Sequence, residues 1–172
     1  MKHLTAADYT RQPWKNGKGI TIEMLRIERD GQLLARLSRA TVTEDGPFSI
    51  FPGLDRNLTV LTGKGFRLLG AGLDLRCNPM IPVAFPGDAA ITASDTLGQP
   101  SDDFNVMTAA HLPHPQVTFV TEGQLPAGGL LALYAVASAQ VNGRTLAPQD
   151  LILTEGAAMI QGQILAVRLH GL

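Results

Sequence analysis

Apolar and polar residues alternate in short runs between turn signals along most of the chain, and that pattern predicts strands. The runs are 19–29, 32–43, 57–62, 65–69, 81–85, 117–121, 130–141, 151–154 and 164–169. Eighteen glycines and eleven prolines lie nearly end to end, leaving few windows for a helix beyond two or three turns. Asp30-Gly31 predicts a hairpin between the first two runs, because this pair tolerates positive φ. Asn142-Gly143 and Gln161-Gly162 predict turns of the same kind. Many short strands with such turns imply an all-β sandwich or barrel.

Charge is distributed unevenly over this pattern. Of the 29 charged side chains only five fall in the last 69 residues. The run GLLALYAVASAQV is apolar on both faces, as expected of a strand covered on both sides, either by the first part of the chain or by a second subunit. No charged or serine-rich linker separates the two parts, so a single compact unit of 172 residues is expected. Net charge is −1, too small for a long-range field that would draw the protein to nucleic acid or an anionic membrane. The single cysteine, Cys77, excludes an intrachain disulfide and a multi-cysteine zinc site. The amino terminus lacks the apolar core of a signal peptide and no apolar stretch reaches membrane-spanning length, so a cytoplasmic protein is expected.

The candidate chemistry centres on Asp45 to Gly65, DGPFSIFPGLDRNLTVLTGKG. Its spacing resembles the metal-binding motif of cupins, in which two histidines two apart are followed by a glutamate and then a glycine. The four places fall on Ser49, Phe51, Arg56 and Gly63. Divalent metals need imidazole, thiolate or carboxylate donors at about 2.0–2.3 Å, which a hydroxyl, a phenyl ring and a guanidinium do not supply. The motif therefore predicts no metal and no cofactor, and a site that favours an anion. LAPQDLILTEG at 146–156 and PVAFPGDAAI at 82–91 each resemble a second cupin motif. Together they predict a double-stranded β-helix of the bicupin, jelly-roll type, with two fused halves at about 1–110 and 111–172 that are not independent.

Strand parity adds further residues. Arg36 and Ser38 share one face of their strand, and Ser49 and Phe51 share a face if their segment is extended. Two guanidiniums and two hydroxyls would then converge. A buried arginine needs a partner, which is either an internal ion pair with Asp55, Asp88 or Asp103, or a ligand carboxylate gripped by the guanidinium fork. Asp103, Asn105 and Met107 share a face of DDFNVM. In WKNGKG, Trp14 is an aromatic plug or wall and Asn16 a hydrogen-bonding group beside glycines that admit close approach. His3 and His170 are terminal, while His111 and His114 sit in HLPHP, so the histidines do not read as metal ligands.

WKNGKGITIE, the RLSRA of 36–40, the long central motif, FPGD at 85–88 and DFNVM at 103–107 together resemble the HutD/Ves family, in order and spacing, over about residues 10 to 110. One departure is Ala35, where members often carry an aromatic residue. The resemblance implies a double cupin, a homodimer, no catalytic metal, and a link to bacterial histidine utilisation or to stress-induced expression. It also implies a ligand of the formylated glutamate type, bound to limit pathway flux. The leading expectation is thus a metal-free bicupin that binds a small acidic metabolite. Arg36 and Arg56 would hold carboxylates, Asn16, Ser38, Ser49 and Asn105 would hydrogen-bond, Asp103 would adjoin, and Trp14, Phe51 and Met107 would form the apolar wall. Two alternatives are a metal-independent isomerase or hydrolase with Asp103 or Asp88 as base, and a structural or regulatory partner protein acting through the apolar second part.

Overall fold

The computed structural model describes residues 1–14, 17 and 19–172. Among the described residues there are sixteen strands. They are β1 (Lys2–Leu4), β2 (Thr10–Pro13), β3 (Ile20–Arg29), β4 (Gln32–Val42), β5 (Gly46–Pro47), β6 (Leu54–Thr62), β7 (Phe66–Gly70) and β8 (Leu73–Cys77), then β9 (Val83–Pro86), β10 (Thr92–Ser94), β11 (Ser101–Ala109), β12 (Gln116–Leu125), β13 (Leu130–Val141), β14 (Arg144–Leu146), β15 (Leu151–Thr154) and β16 (Ala158–Leu169). Among the described residues the helical content is one 3-10 turn, Ala6–Asp8. The fold is all-β, as the alternation and turn residues predict, and a bicupin, as the cupin-like motifs predict. No helix among the described residues is long and apolar enough to cross a membrane.

The chain divides into two compact units, 10–111 and 1–9 with 112–172. In the first, a six-stranded antiparallel sheet ordered β2-β3-β4-β11-β6-β9 accompanies a four-stranded sheet ordered β5-β10-β7-β8. Asp30 and Gly31, at φ +51° and +76°, turn β3 into β4, as the Asp-Gly pair predicts. Alternate residues of the sheets meet in a cluster of Val42, Leu58, Val60, Phe66, Leu68, Cys77, Phe85, Ile91 and Ala93, with Phe48 against it. A fully buried side chain such as Leu58 or Phe66 contributes about 1.5–3 kcal/mol. Burial also pushes the Cys77 thiol up to about 12, so this cysteine packs as an apolar residue.

The other unit is one sheet ordered β1-β15-β13-β16-β12, with β14 on β13. Its interior cluster is apolar throughout, from Leu131, Leu133 and Val141 to Ile152, Ile160 and Ile164. The first nine residues belong here because Lys2–Leu4 pairs with Leu151–Leu153. His3 Nε2 meets Asp150 Oδ2 at 2.9 Å and the Tyr9 hydroxyl donates to the Gln149 carbonyl at 2.6 Å, which fastens the segment at both ends. Asn142 and Gly143, at φ +51° and +76°, form the expected turn.

Gln161-Gly162 corrects the sequence reading, for it is no turn. It lies inside β16, where the pairing with β13 shifts register between Ala135 and Ala139. Gly162 has φ +95°, and a Cβ there would stand 2.8 Å from the Ser138 carbonyl oxygen. The glycine that looked like punctuation is a bulge that a longer strand uses to bend.

Candidate functional site

Three neighbouring strands of the unit 10–111 carry most of the expected residues. Arg36 of β4 pairs with Met107 of β11, and Met107 with Arg56 of β6. The next row is Ser38, Asn105 and Leu58, and the next Ala40, Asp103 and Val60. Directly paired residues share a face, so Arg36, Ser38, Arg56, Asp103, Asn105 and Met107 lie on one side of the sheet. That side also bears Leu58, Val60 and Phe85 of the apolar cluster. Ser38, Arg56, Asp103, Asn105 and Met107 are all buried. A polar stripe therefore crosses the interior of an otherwise apolar core.

Arg56 is its centre. Only 6% of the residue is exposed. Its Nη2 donates to Asn105 Oδ1 at 2.8 Å and its Nη1 to the Ser49 carbonyl at 3.2 Å, while its buried Nε has no hydrogen-bond partner. The rings of Phe85, Phe51 and Phe48 stand 5.0, 5.2 and 5.4 Å from Cζ, within cation–π range. Burial lowers this guanidinium to about 10, with Asp103 opposing the shift and Arg36 adding to it. Of the three acids expected as an internal partner for Arg56, none of Asp55, Asp88 and Asp103 provides the hydrogen-bonded contact. An amide does, and Asp88 is exposed in the turn after β9.

Asn105 joins Arg56 to Asp103. Its oxygen accepts from Arg56 and its Nδ2 donates to Asp103 Oδ1, which fixes the orientation of the amide. Asp103 is 1% exposed. Burial pushes its carboxyl up to about 7, against the pull of Arg56 and the Asn105 hydrogen bond and with a small push from Asp102. The protonated and ionised forms are therefore close in free energy near neutral pH.

Arg36 has a different environment. Its Nε donates to Glu23 Oε2 at 2.5 Å and its Nη2 to Gln12 Oε1 at 3.0 Å. Both Arg36 and Glu23 side chains are about one-tenth exposed, at 12% and 10%. Glu23 pairs in the sheet with Ser38 and with Thr10, so it belongs to the same face.

The remaining expected residues are placed as follows. Ser49 and Phe51 lie in the irregular segment between β5 and β6, so strand parity does not apply to them. Phe51 reaches Arg56 nevertheless. Ser49 is exposed and supplies its backbone carbonyl, while its hydroxyl makes none of the hydrogen bonds to Arg56. Trp14 follows β2, which three strands separate from β6 in the sheet order. Its Nε1 donates to Thr21 Oγ1 at 2.8 Å, and a Cβ on Gly19 would stand 2.9 Å from its ring. Asn16 lies outside the described residues. Glu23, Gln12, Phe48 and Phe85 complete the site and were not singled out from sequence. The signal that could have found Glu23 and Gln12 is their even spacing with Thr21 and Thr10 on strands that precede Arg36.

A set of this kind is chemically suited to donating hydrogen bonds to an anion. At the places where the cupin spacing puts metal ligands stand a serine, a phenyl ring and a guanidinium. Among the described residues no three His, Cys, Asp or Glu side chains gather as a metal site. Arg56 presents a buried donor edge within an apolar ring cage, where a charge-assisted hydrogen bond is at its strongest.

Residues 6–168 match the family model described as HutD. An uncharacterised 21.2 kDa protein in the hutC 3′ region of Pseudomonas putida is 42% identical over 114 residues, which cover 63% of this chain and 58% of that protein. The chain thus aligns with under two thirds of the length of that curated relative. HutD from Pseudomonas fluorescens SBW25, described in a formate condition, superposes with a TM-score of 0.88 at 30% identity over 98% of this chain and 97% of its own. A conserved protein of unknown function from Pseudomonas aeruginosa PAO1 gives a TM-score of 0.84 at 31% identity, covering 99% and 98%.

Proposed function

Because the chain belongs to the HutD family, which is tied to histidine-utilisation genes, we propose that its unit 10–111 binds a small acidic metabolite of the formylated glutamate type. Binding would serve regulation of that pathway by holding an intermediate. The observation that carries this reading is Arg56, a buried guanidinium with an unpartnered Nε, faced by an amide where a carboxylate would otherwise neutralise it. A ligand carboxylate supplies what the protein leaves out, and the fork of the guanidinium is shaped to take it. Ser38 and Asn105 stand beside it to orient the rest of the molecule.

Isothermal calorimetry tests the reading with formate, formylglutamate, formiminoglutamate, glutamate and urocanate. Formate is the smallest carboxylate and the condition named for the Pseudomonas fluorescens protein. Heat from at least one of these acids, lost by more than tenfold in affinity in Arg56→Ala, is the expected result. No heat from any of them sinks the proposal. The homodimer implied by the resemblance is checked in the same preparation by light scattering.

A second reading has one observation in its favour. Asp103, pushed up to about 7, has the pKa that suits a general base in an isomerase or hydrolase of a small carboxylate. Product formation after prolonged incubation with any acid that binds would establish it, and unchanged ligand would remove it.

A further inference from the structure

Arg36 and Glu23 form a pair of opposite charges on the interior face that also bears Arg56, and the two ends of that face offer a ligand different groups. Arg36 and Arg56 flank Met107 in one row of the sheet, which sets their Cα atoms about 10 Å apart at ordinary strand spacing. Arg36 donates its Nε hydrogen to Glu23 Oε2 at 2.5 Å and an Nη2 hydrogen to Gln12 Oε1 at 3.0 Å. Both bonds leave from one side of the guanidinium, and the Nη1 end of the fork takes part in neither. Glu23 is engaged in the same one-sided way, since Arg26 Nη1, at 3.7 Å, also approaches Oε2. A carboxylate has about four lone-pair sites, so the Oε1 side is an acceptor that these two arginines do not use. The Arg56 end has no such acceptor. There the guanidinium stands among the rings of Phe48, Phe51 and Phe85, and Asp103 is linked to it through the Asn105 amide.

We propose that Arg36 and Glu23 together clamp the α-carbon end of a dicarboxylic α-amino acid, free or N-acylated, with Arg36 taking the α-carboxylate, Glu23 accepting the N–H beside it, and Arg56 taking the side-chain carboxylate. This rests on the carboxylate reading of Arg56 given above and deepens it by fixing which end of the ligand lies where. A carboxylate and an N–H on one carbon need a donor and an acceptor side by side, and the Arg36–Glu23 contact is such a pair. The ring-lined surroundings of Arg56 suit the methylene chain that leads to the other carboxylate. Repulsion between Glu23 and the α-carboxylate is offset by Arg36, which serves as counter-ion to both. In this poorly solvated interior a ligand of the same shape that turns a lone pair instead of an N–H toward Glu23 meets like polarity. Glu23 is therefore a specificity-determining residue, selecting for the α-nitrogen rather than for the carboxylates.

The test is calorimetry on the full chain with formylglutamate and two mimics: 2-formyloxyglutarate, in which oxygen replaces the N–H at nearly unchanged shape, and glutarate, which lacks the substituent. Both mimics are expected to bind at least about tenfold more weakly than formylglutamate, as a site built to bond an N–H rejects analogues without one. Equal affinity, or a preference for either mimic, overturns the role of Glu23 while leaving Arg56 as a carboxylate site. Heat from formate or urocanate but from none of these three overturns this inference alone. No heat from any of the acids overturns the Arg56 reading and this inference with it. Orientation is read from formylglutamine, whose side-chain carboxylate is replaced by an amide. It is expected to bind at least about tenfold more weakly than formylglutamate to the wild type, and equally with it to Arg56→Ala. A penalty that survives in Arg56→Ala puts that carboxylate elsewhere and overturns the orientation. Glu23→Gln keeps the side-chain size and is expected to bring formylglutamate and 2-formyloxyglutarate within about threefold, because its amide can turn either an oxygen or an N–H to the ligand. A gap that persists in this variant overturns the role of Glu23. Because the wild-type comparison decides the question alone, an unfolded Glu23→Gln protein does not shelter the proposal.

Discussion

Arg56 donates its Nη2 hydrogen to the side-chain oxygen of Asn105 at 2.8 Å, so a buried cation meets a neutral acceptor. The nitrogen of the same amide donates to Asp103, and the amide cannot flip without losing both bonds. Asn105→Leu, of similar size, removes both partners at once and leaves a buried guanidinium and a buried carboxyl with unmet hydrogen bonds. A loss of about 1–3 kcal/mol in unfolding free energy is expected, measured by denaturant titration, together with weaker carboxylate binding. A change in stability within about 0.5 kcal/mol would show that Arg56 and Asp103 do not depend on the amide.

Arg56 itself should behave in the opposite sense. A buried charge whose donors are only partly met gains little net stability from its contacts, because its desolvation offsets them. Arg56→Met keeps volume and apolar contact with Phe48, Phe51 and Phe85 while deleting the charge. Its thermal midpoint should stay level or rise, while affinity for any bound acid falls by more than tenfold. Arg56→Lys keeps the charge without the planar fork, and should also bind more weakly. A Met variant that loses several kcal/mol and binds as before would make Arg56 a structural residue.

The pH dependence follows from Asp103. Its folded-state value of about 7 lies above the ordinary value of about 3.9 that the unfolded chain would show. Between those two values the native state holds a proton that the unfolded chain has released. The contribution of this group to stability is therefore complete below about pH 4 and is lost as pH rises through 7. Asp103→Asn removes that dependence, so its stability relative to wild type should climb from pH 5 to pH 8 in denaturant titrations. Carboxylate binding should weaken over the same interval in the wild type, as a negative charge appears two hydrogen bonds from Arg56. The Asn variant should bind equally at pH 6 and pH 8. A wild-type affinity that is flat across this interval would show that Asp103 keeps one protonation state.

These expectations rest on features that the sequence discloses unequally. Parity along a strand is local, so Arg36 with Ser38, and Asp103 with Asn105 and Met107, fall on shared faces as read from spacing. The central motif brings Phe51 to Arg56 for a different reason from the one its spacing suggests. The segment 48–53 is irregular and returns to Arg56 by backbone hydrogen bonds to the loop around Gly87. Glu23 and Gln12 were not visible because an ion pair across strands depends on register, and register is set by bulges such as those between Glu23 and Leu25. The misread Gln161-Gly162 has the same cause. Only the partner strand distinguishes a bulge from a turn at a glycine.

Gly87 supplies the last prediction, because it controls Arg56 without touching it. The backbone nitrogen of Phe51 donates to the Gly87 carbonyl at 2.7 Å, and that of Gly87 donates to the Leu54 carbonyl at 2.7 Å. A Cβ at Gly87 would lie 2.5 Å from the carbonyl oxygens of both Phe51 and Leu54, backbone atoms that cannot swing aside. Gly87→Ala must therefore push the 48–53 segment outward, carrying the Ser49 carbonyl and the Phe48 and Phe51 rings away from the guanidinium. A loss of about 1–3 kcal/mol is expected from the forced shift. Carboxylate affinity should fall as well, although no ligand-contacting group has been changed. Gly46→Ala is the control, since nothing stands within 4 Å of a Cβ there, and its stability should remain within about 0.5 kcal/mol of wild type. Calorimetry on the two variants then separates the placement of the segment from its composition. Binding retained in Gly87→Ala would mean that the phenyl cage and the Ser49 carbonyl are not needed to hold Arg56 ready for an anion.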